Sequence, residues 1–236
     1  MANKFNAIKR KIYKPQNKNP EMKAMKCKVL FAMFFVFLMV GLAGASVPNF
    51  GHDGLQGLTD AQIKDIQAGK IVVSTSDSVL DEKTQAKSSL ITAAMIFDKP
   101  PEVVYDLLYR SEDQIKFLKE IQAVKVINKT EAQNNIEFTT KAAVFTFVYR
   151  VIHNFDKNNL YMYWNIDKSF KNDLTDLRGF WKFYPYPGGK TLARYGSDVS
   201  IKGVPTWVEN IFKATGVKDA LKSVKKYIDT GWTLKR

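Results

Sequence analysis

The sequence predicts an α+β domain in which a curved antiparallel β-sheet is wrapped around a long C-terminal α-helix. Three observations lead there. From Ala123 to Ser200, strand-like segments follow one another with only short turn sequences between them, so successive strands run antiparallel. Alternation along the later strands puts a run of aromatic residues on one face. Gly203–Tyr227, GVPTWVENIFKATGVKDALKSVKKY, then carries the signals of a helix long enough to cover that face.

At 236 residues and 45% hydrophobic content, the chain can bury a sizeable core, and one domain plus an extension is expected. Of the net charge of +13, nine basic residues against Glu21 place +8 before residue 29, which leaves +5 for everything after it. The domain itself is only mildly basic and shows no basic stripe interleaved with base-stacking aromatics, so no nucleic-acid partner is expected. Residues Val29–Leu42 are apolar and uncharged, and Ala43-Gly44-Ala45 follows as a small-x-small exit. The expectation is a basic leader and signal peptide over 1–45, cleaved after Ala45, and a secreted or periplasmic mature chain. The alternative is a membrane anchor formed by residues 29–47. Cys27 is the only cysteine, so the cleaved chain would have no disulfide, thiol chemistry or cysteine metal site.

Residues 46–57 read as a linker, and 58–236 as the domain. Thr59 stands three residues before Gln62, a capping box, and Gly69 supplies a stop, which predicts a short helix over Asp60–Ala68. Lys70–Thr75 and Ser89–Phe97 are strand-like. Pro100-Pro101-Glu102 opens a helix through about Tyr109, and Asp113–Leu118 adds a helical turn. Strands are then expected over Ala123–Lys129, Ile136–Val144, Thr146–His153, Tyr161–Ile166, Gly179–Tyr184 and Thr191–Ser200. Their separators are Asn134-Asn135, Asp156–Asn159 and Pro185–Gly189. Lys182, Arg194 and Asp198 share one parity and should face water. Trp181, Phe183, Ala193, Tyr195 and Val199 should then face inward, with Leu160, Met162, Trp164 and Ile166 beside them.

In the C-terminal stretch, Pro205 suits a first helical position, Glu209 lies near the start, and Lys222, Lys225 and Lys226 lie near the end, the order the helix dipole favours. Val208, Ile211, Phe212 and Thr215 make one face at helical spacing; Val217, Ala220, Leu221, Val224 and Ile228 make another, roughly opposite. One straight helix cannot bury both against a single surface. Gly216 between them is the expected place for a bend.

These residues carry a resemblance. Gly203-x-Pro205-x-Trp207-Val208-x-Asn210, with Gly216-Val217 and Leu221-Lys222, resembles the C-terminal helix of START lipid-binding domains. Phe97-Asp98-Lys99-Pro100-Pro101-x-Val103 with Tyr105-Asp106-Leu107-Leu108, Tyr149-Arg150-Val151, and the Gly179-x-Trp181-x-Phe183-x-Pro185…Gly189-Lys190-Thr191 hairpin are similar to the same family, over about Leu58–Tyr227. The resemblance implies a helix-grip fold with a tunnel for one lipid or similar apolar molecule. Two features depart from it: Ala142-Ala143-Val144-Phe145 stands where the family has a proline-rich connection, and no acid–base pair of the kind some members place in the tunnel can be matched. The wider superfamily also contains polyketide cyclases and dehydratases, which leaves an enzymatic alternative with His153 and Tyr149 as acid–base groups.

The candidate cavity residues are Tyr149, His153, Met162, Trp164, Trp181, Phe183, Tyr195, Trp207, Ile211 and Phe212, each of which would pack an ordinary core equally well. Trp207 also suits a wet–apolar boundary. His153 is the one histidine inside the domain and has no motif partner, and no zinc spacing, phosphate-cradling loop or Gly-x-Ser-x-Gly elbow occurs. The expected function is therefore binding, with possible transfer, of a lipid or other hydrophobic ligand, with no cofactor, metal or catalytic set. Lys213, Lys218, Lys222, Lys225 and Lys226 read as a solvated face that could also meet anionic head groups in a transient membrane contact. A packed interaction domain without a cavity is the third reading.

Overall fold

The structure, a computed structural model, describes residues 48–75, 79–80, 87–88, 90–201 and 214–235. The expected leader, its cleavage point, and Trp207, Ile211 and Phe212 lie outside the described residues. So does Val208, which leaves only Thr215 of the first apolar stripe of the C-terminal stretch within them.

Helix α1 spans Asp60–Gln67, capped as its sequence requires: Gln62 N–H donates to the Thr59 hydroxyl, and Thr59 N–H donates to the Gln62 side chain. Gly69, at φ +78°, turns the chain out of it. Strands β1 (Val72–Thr75) and β4 (Ile91–Phe97) flank a short described pair, β2 (Val79–Leu80) and β3 (Lys87–Ser88). Helix α2 (Pro101–Tyr109) starts with Pro101 at its first position, where a missing N–H costs no hydrogen bond. A 3₁₀ segment, Ser111–Lys116, follows. Strands β5 (Ile121–Lys129), β6 (Gln133–Ala142), β7 (Phe145–Asp156), β8 (Tyr161–Ile166), β9 (Asp176–Tyr186) and β10 (Lys190–Ser200) complete an antiparallel sheet in the order β1-β4-β10-β9-β8-β7-β6-β5.

Helix α3, Ala214–Thr230, lies against β1 and β4 and runs through Gly216 without a break. The second apolar stripe faces the sheet: Leu221, Val224 and Ile228 are buried, each contributing on the order of 1.5–3 kcal/mol. The lysines do not end this helix as expected. It continues to Thr230, so Asp229 occupies the last turn, where the dipole is unfavourable to a carboxylate. Lys225 offsets that by pairing with Asp229 at 2.5 Å, and Asp229 also accepts the Asp98 N–H at 2.8 Å.

Two expectations are corrected. Asn134 and Asn135 are not a turn: they lie inside β6, and the chain reverses at 130–132, where the Thr130 hydroxyl accepts the Gln133 N–H and donates to the Gln133 carbonyl. The β6–β7 reversal is a two-residue turn, with Ala143 at φ +53° and Val144 80% exposed. The outer face near β10 is also not wet. Arg194 and Asp198 are buried there: Pro48–Leu58, which takes in most of the stretch read as a linker, packs across Arg194, and Asp198 pairs with Arg178 at 2.9 Å. Arg194 donates to the Gly54 and Gln56 carbonyls, and its guanidinium lies 4.1 Å from the Phe50 ring, which stacks on Phe180. Ile66, Ala94, Ile96, Tyr184 and Leu192 form a second core beneath this cover.

Candidate ligand-binding cavity

The concave face follows from strand alternation. Phe138 and Thr140 on β6, Tyr149, Val151 and His153 on β7, Met162 and Trp164 on β8, Trp181 on β9, and Tyr195 and Ser197 on β10 all point the same way. The 3₁₀ segment with Phe117, Leu118 and Ile121 closes one side. Helix α3 supplies Gly216, Val217, Ala220, Leu221 and Val224 opposite the sheet. Between them lies a cavity of about 270 Å³.

Its wall is a belt of rings: Tyr149 to Phe138 at 5.8 Å, Phe138 to His153 at 6.3 Å, His153 to Trp164 at 5.9 Å, Trp164 to Tyr195 at 5.9 Å and Tyr195 to Trp181 at 4.7 Å. Gly179 makes one crossing possible. It pairs with Trp164 across β8–β9, and any side chain at 179 would collide with the indole. The space therefore depends on a residue that sequence parity cannot rank.

The histidine and the two tyrosines in this wall are neutral. Burial pushes the His153 imidazole down to about 4 and the Tyr149 phenol up to about 12, the latter opposed by the Thr140 hydroxyl beside it. Tyr195 is raised by the same desolvation, with Ser197 opposing. His153 is a neutral base at pH 7, and its Nδ1 has no protein partner. Tyr149 and His153 are four residues apart on one strand, about 13 Å along it. Among the described residues no carboxylate orients the imidazole, so the two do not form an acid–base couple in direct contact. Among the described residues, no cluster of three or more His, Cys, Asp or Glu could hold a metal ion.

Of the ten residues singled out from the sequence, Tyr149, His153, Met162, Trp164, Trp181 and Tyr195 line this cavity. Phe183 points to the same side but packs further along, in the core with Tyr105 and Trp181. Sequence reasoning missed Phe138, Thr140, Ser197 and the 3₁₀ wall. Ser197 shares parity with Tyr195 and Val199, already read as inward, which was the available signal; no residue of the strand that carries Phe138 and Thr140 had been assigned a face. Arg150, in the strand motif of the resemblance, faces away from the cavity, where it pairs with Glu137 at 2.9 Å and lies over Phe170.

No family model and no curated protein matches the sequence. Solved structures do match by shape. A fragment of a STAR-related lipid transfer protein from Xanthomonas axonopodis is 11% identical, over 67% of this chain and 93% of that one, with a TM-score of 0.57. A START superfamily protein from Mycobacterium smegmatis is 12% identical, over 61% and 99%, with a TM-score of 0.51. The Zhui aromatase/cyclase from Streptomyces sp. R1128 is 8% identical, over 61% and 98%, with a TM-score of 0.50. At such identities the likeness is one of fold. With its eight-stranded sheet and its C-terminal helix packed against it, the chain has the helix-grip fold of the START superfamily.

Proposed function

We propose that the chain binds one hydrophobic molecule in the cavity between α3 and the sheet and carries it without altering it. The supporting observation is the aromatic belt. Large rings that could have closed on one another instead surround a space of about 270 Å³, set with a few hydrogen-bonding groups. That size is just below the usual range for small-molecule pockets, roughly 300–1,000 Å³. It suits a single chain or a compact ring system rather than a two-chain lipid. The cyclase or dehydratase reading needs an oriented base, and among the described residues no group orients His153.

Filling the space tests the reading. The wild-type protein should bind the neutral probe N-phenyl-1-naphthylamine saturably at one per chain. Val217→Trp, which projects from α3 into the space, should lower that affinity at least tenfold while circular dichroism stays unchanged. Equal binding by a folded Val217→Trp protein would place the probe elsewhere and remove the proposal.

For transfer and membrane contact, the support lies on the other side of α3. Lys218, Lys222, Lys225 and Lys226 join Lys70 around a second, open cleft of about 690 Å³ floored by Ile71, Val72 and Val73. Asp65 and Asp229 are the acids on its walls, so cations outnumber anions there by five to two. Lys70, Lys222 and Lys225 are paired with Asp65, Asp219 and Asp229, so the attraction for an anionic bilayer rests mainly on Lys218 and Lys226, at about 1 kcal/mol per lysine near the membrane.

A further inference from the structure

Resting on the reading of the cavity as a ligand site, we infer that its ligand is an uncharged molecule bearing a hydroxyl or carbonyl group, and that anionic amphiphiles such as fatty acids are rejected. Among the described residues that line the space, none is cationic, and the charged one is Glu120, half-buried and 3.9 Å from Lys119. An anion placed inside would find no counter-charge among these residues. Desolvating an ion without a partner is far less favourable than burying a neutral group that makes a hydrogen bond.

The wall offers that hydrogen bond several times over. Thr140, Tyr149, Tyr195 and Ser197 present hydroxyls, and His153 presents an imidazole. Burial keeps both phenols protonated and the imidazole neutral at pH 7, so every one of these groups acts as a neutral donor or acceptor. The lysines of this domain that meet a cleft stand instead around the outer groove of α3, outside this lining. Charge attraction and ligand selection are thus on separate surfaces. The outer one meets anions, and the inner one takes what is neutral.

Three probes that share one ring system separate the possibilities in calorimetric titrations of the folded protein at pH 7. Naphthalene, 2-naphthol and 2-naphthoate differ in polar group and charge. Naphthalene should bind measurably, 2-naphthol several-fold more tightly, and 2-naphthoate at least tenfold more weakly than 2-naphthol. Tyr149→Phe should reduce the advantage of 2-naphthol over naphthalene without weakening naphthalene. Naphthoate within tenfold of naphthol, or naphthol no tighter than naphthalene, overturns this inference and leaves the cavity reading in place. No binding of any of the three overturns both.

Discussion

His153 shows how a single residue is set by its surroundings. It sits on β7 between Phe138, Phe155 and Trp164, with 6% of its surface exposed, and no described residue beside it stabilises a charged imidazolium. Its pKa falls from the ordinary 6.5 to about 4 for that reason. Between those values the unfolded chain binds a proton that the folded chain does not, so folding stability decreases as pH falls through the window. A difference of about 2.5 units corresponds to a loss on the order of 3 kcal/mol from pH 6.5 to pH 4. Urea denaturation across this range should show the loss in the wild type and a flatter profile in His153→Leu. Parallel profiles for the two proteins would mean that His153 titrates normally and that the cavity wall is wetter than described.

At the scale of elements, helix α3 divides its two faces between two tasks. Leu221, Val224 and Ile228 grip the sheet, while Lys218 and Lys222 stand on the open cleft. Replacing Lys218 and Lys222 together by Glu reverses the charge at two positions and frees Asp219 from its pair with Lys222, on a face where an unpaired lysine contributes about 1 kcal/mol near an anionic surface. Partition onto phosphatidylglycerol vesicles at low salt should fall at least about tenfold, with cavity binding of N-phenyl-1-naphthylamine unchanged. Undiminished partition would show that this face does not meet membranes. The helix was legible because its apolar stripe repeats at helical spacing; its end was not, since Gly231, at φ +71°, stops it past the expected Tyr227. The lysine placement was misread: Asp229 looks wrong for a last turn until Lys225 and the Asp98 N–H are seen to hold it. The strands were legible for a similar reason, since β-branched and aromatic residues alternate along them. The Asn134-Asn135 pair misled because Asn favours turns, whereas here Asn134 is buried in β6 opposite His153.

For the molecule as a whole, alternation placed six of the chosen residues on one wall but could not show whether that wall encloses space or closes on itself. Core and pocket use the same residue types, and the difference lies in how closely α3 and the 3₁₀ segment approach the sheet. That distance is set by contacts far apart in sequence, such as Phe117 stacked on Tyr227 at 4.4 Å and Leu234 N–H donating to the Lys116 carbonyl. The outer face is likewise a long-range product, since Arg194 is buried only because residues before Leu58 fold back over it. The central claim is that the enclosed space holds a hydrophobic molecule. Native mass spectrometry of the protein purified from its own host tests it most directly. The account predicts a one-to-one adduct that gentle activation or organic extraction releases as a neutral species, leaving the mass of the bare chain. A bare chain alone, with no adduct under the gentlest conditions and none after exposure to a host lipid extract, would contradict it.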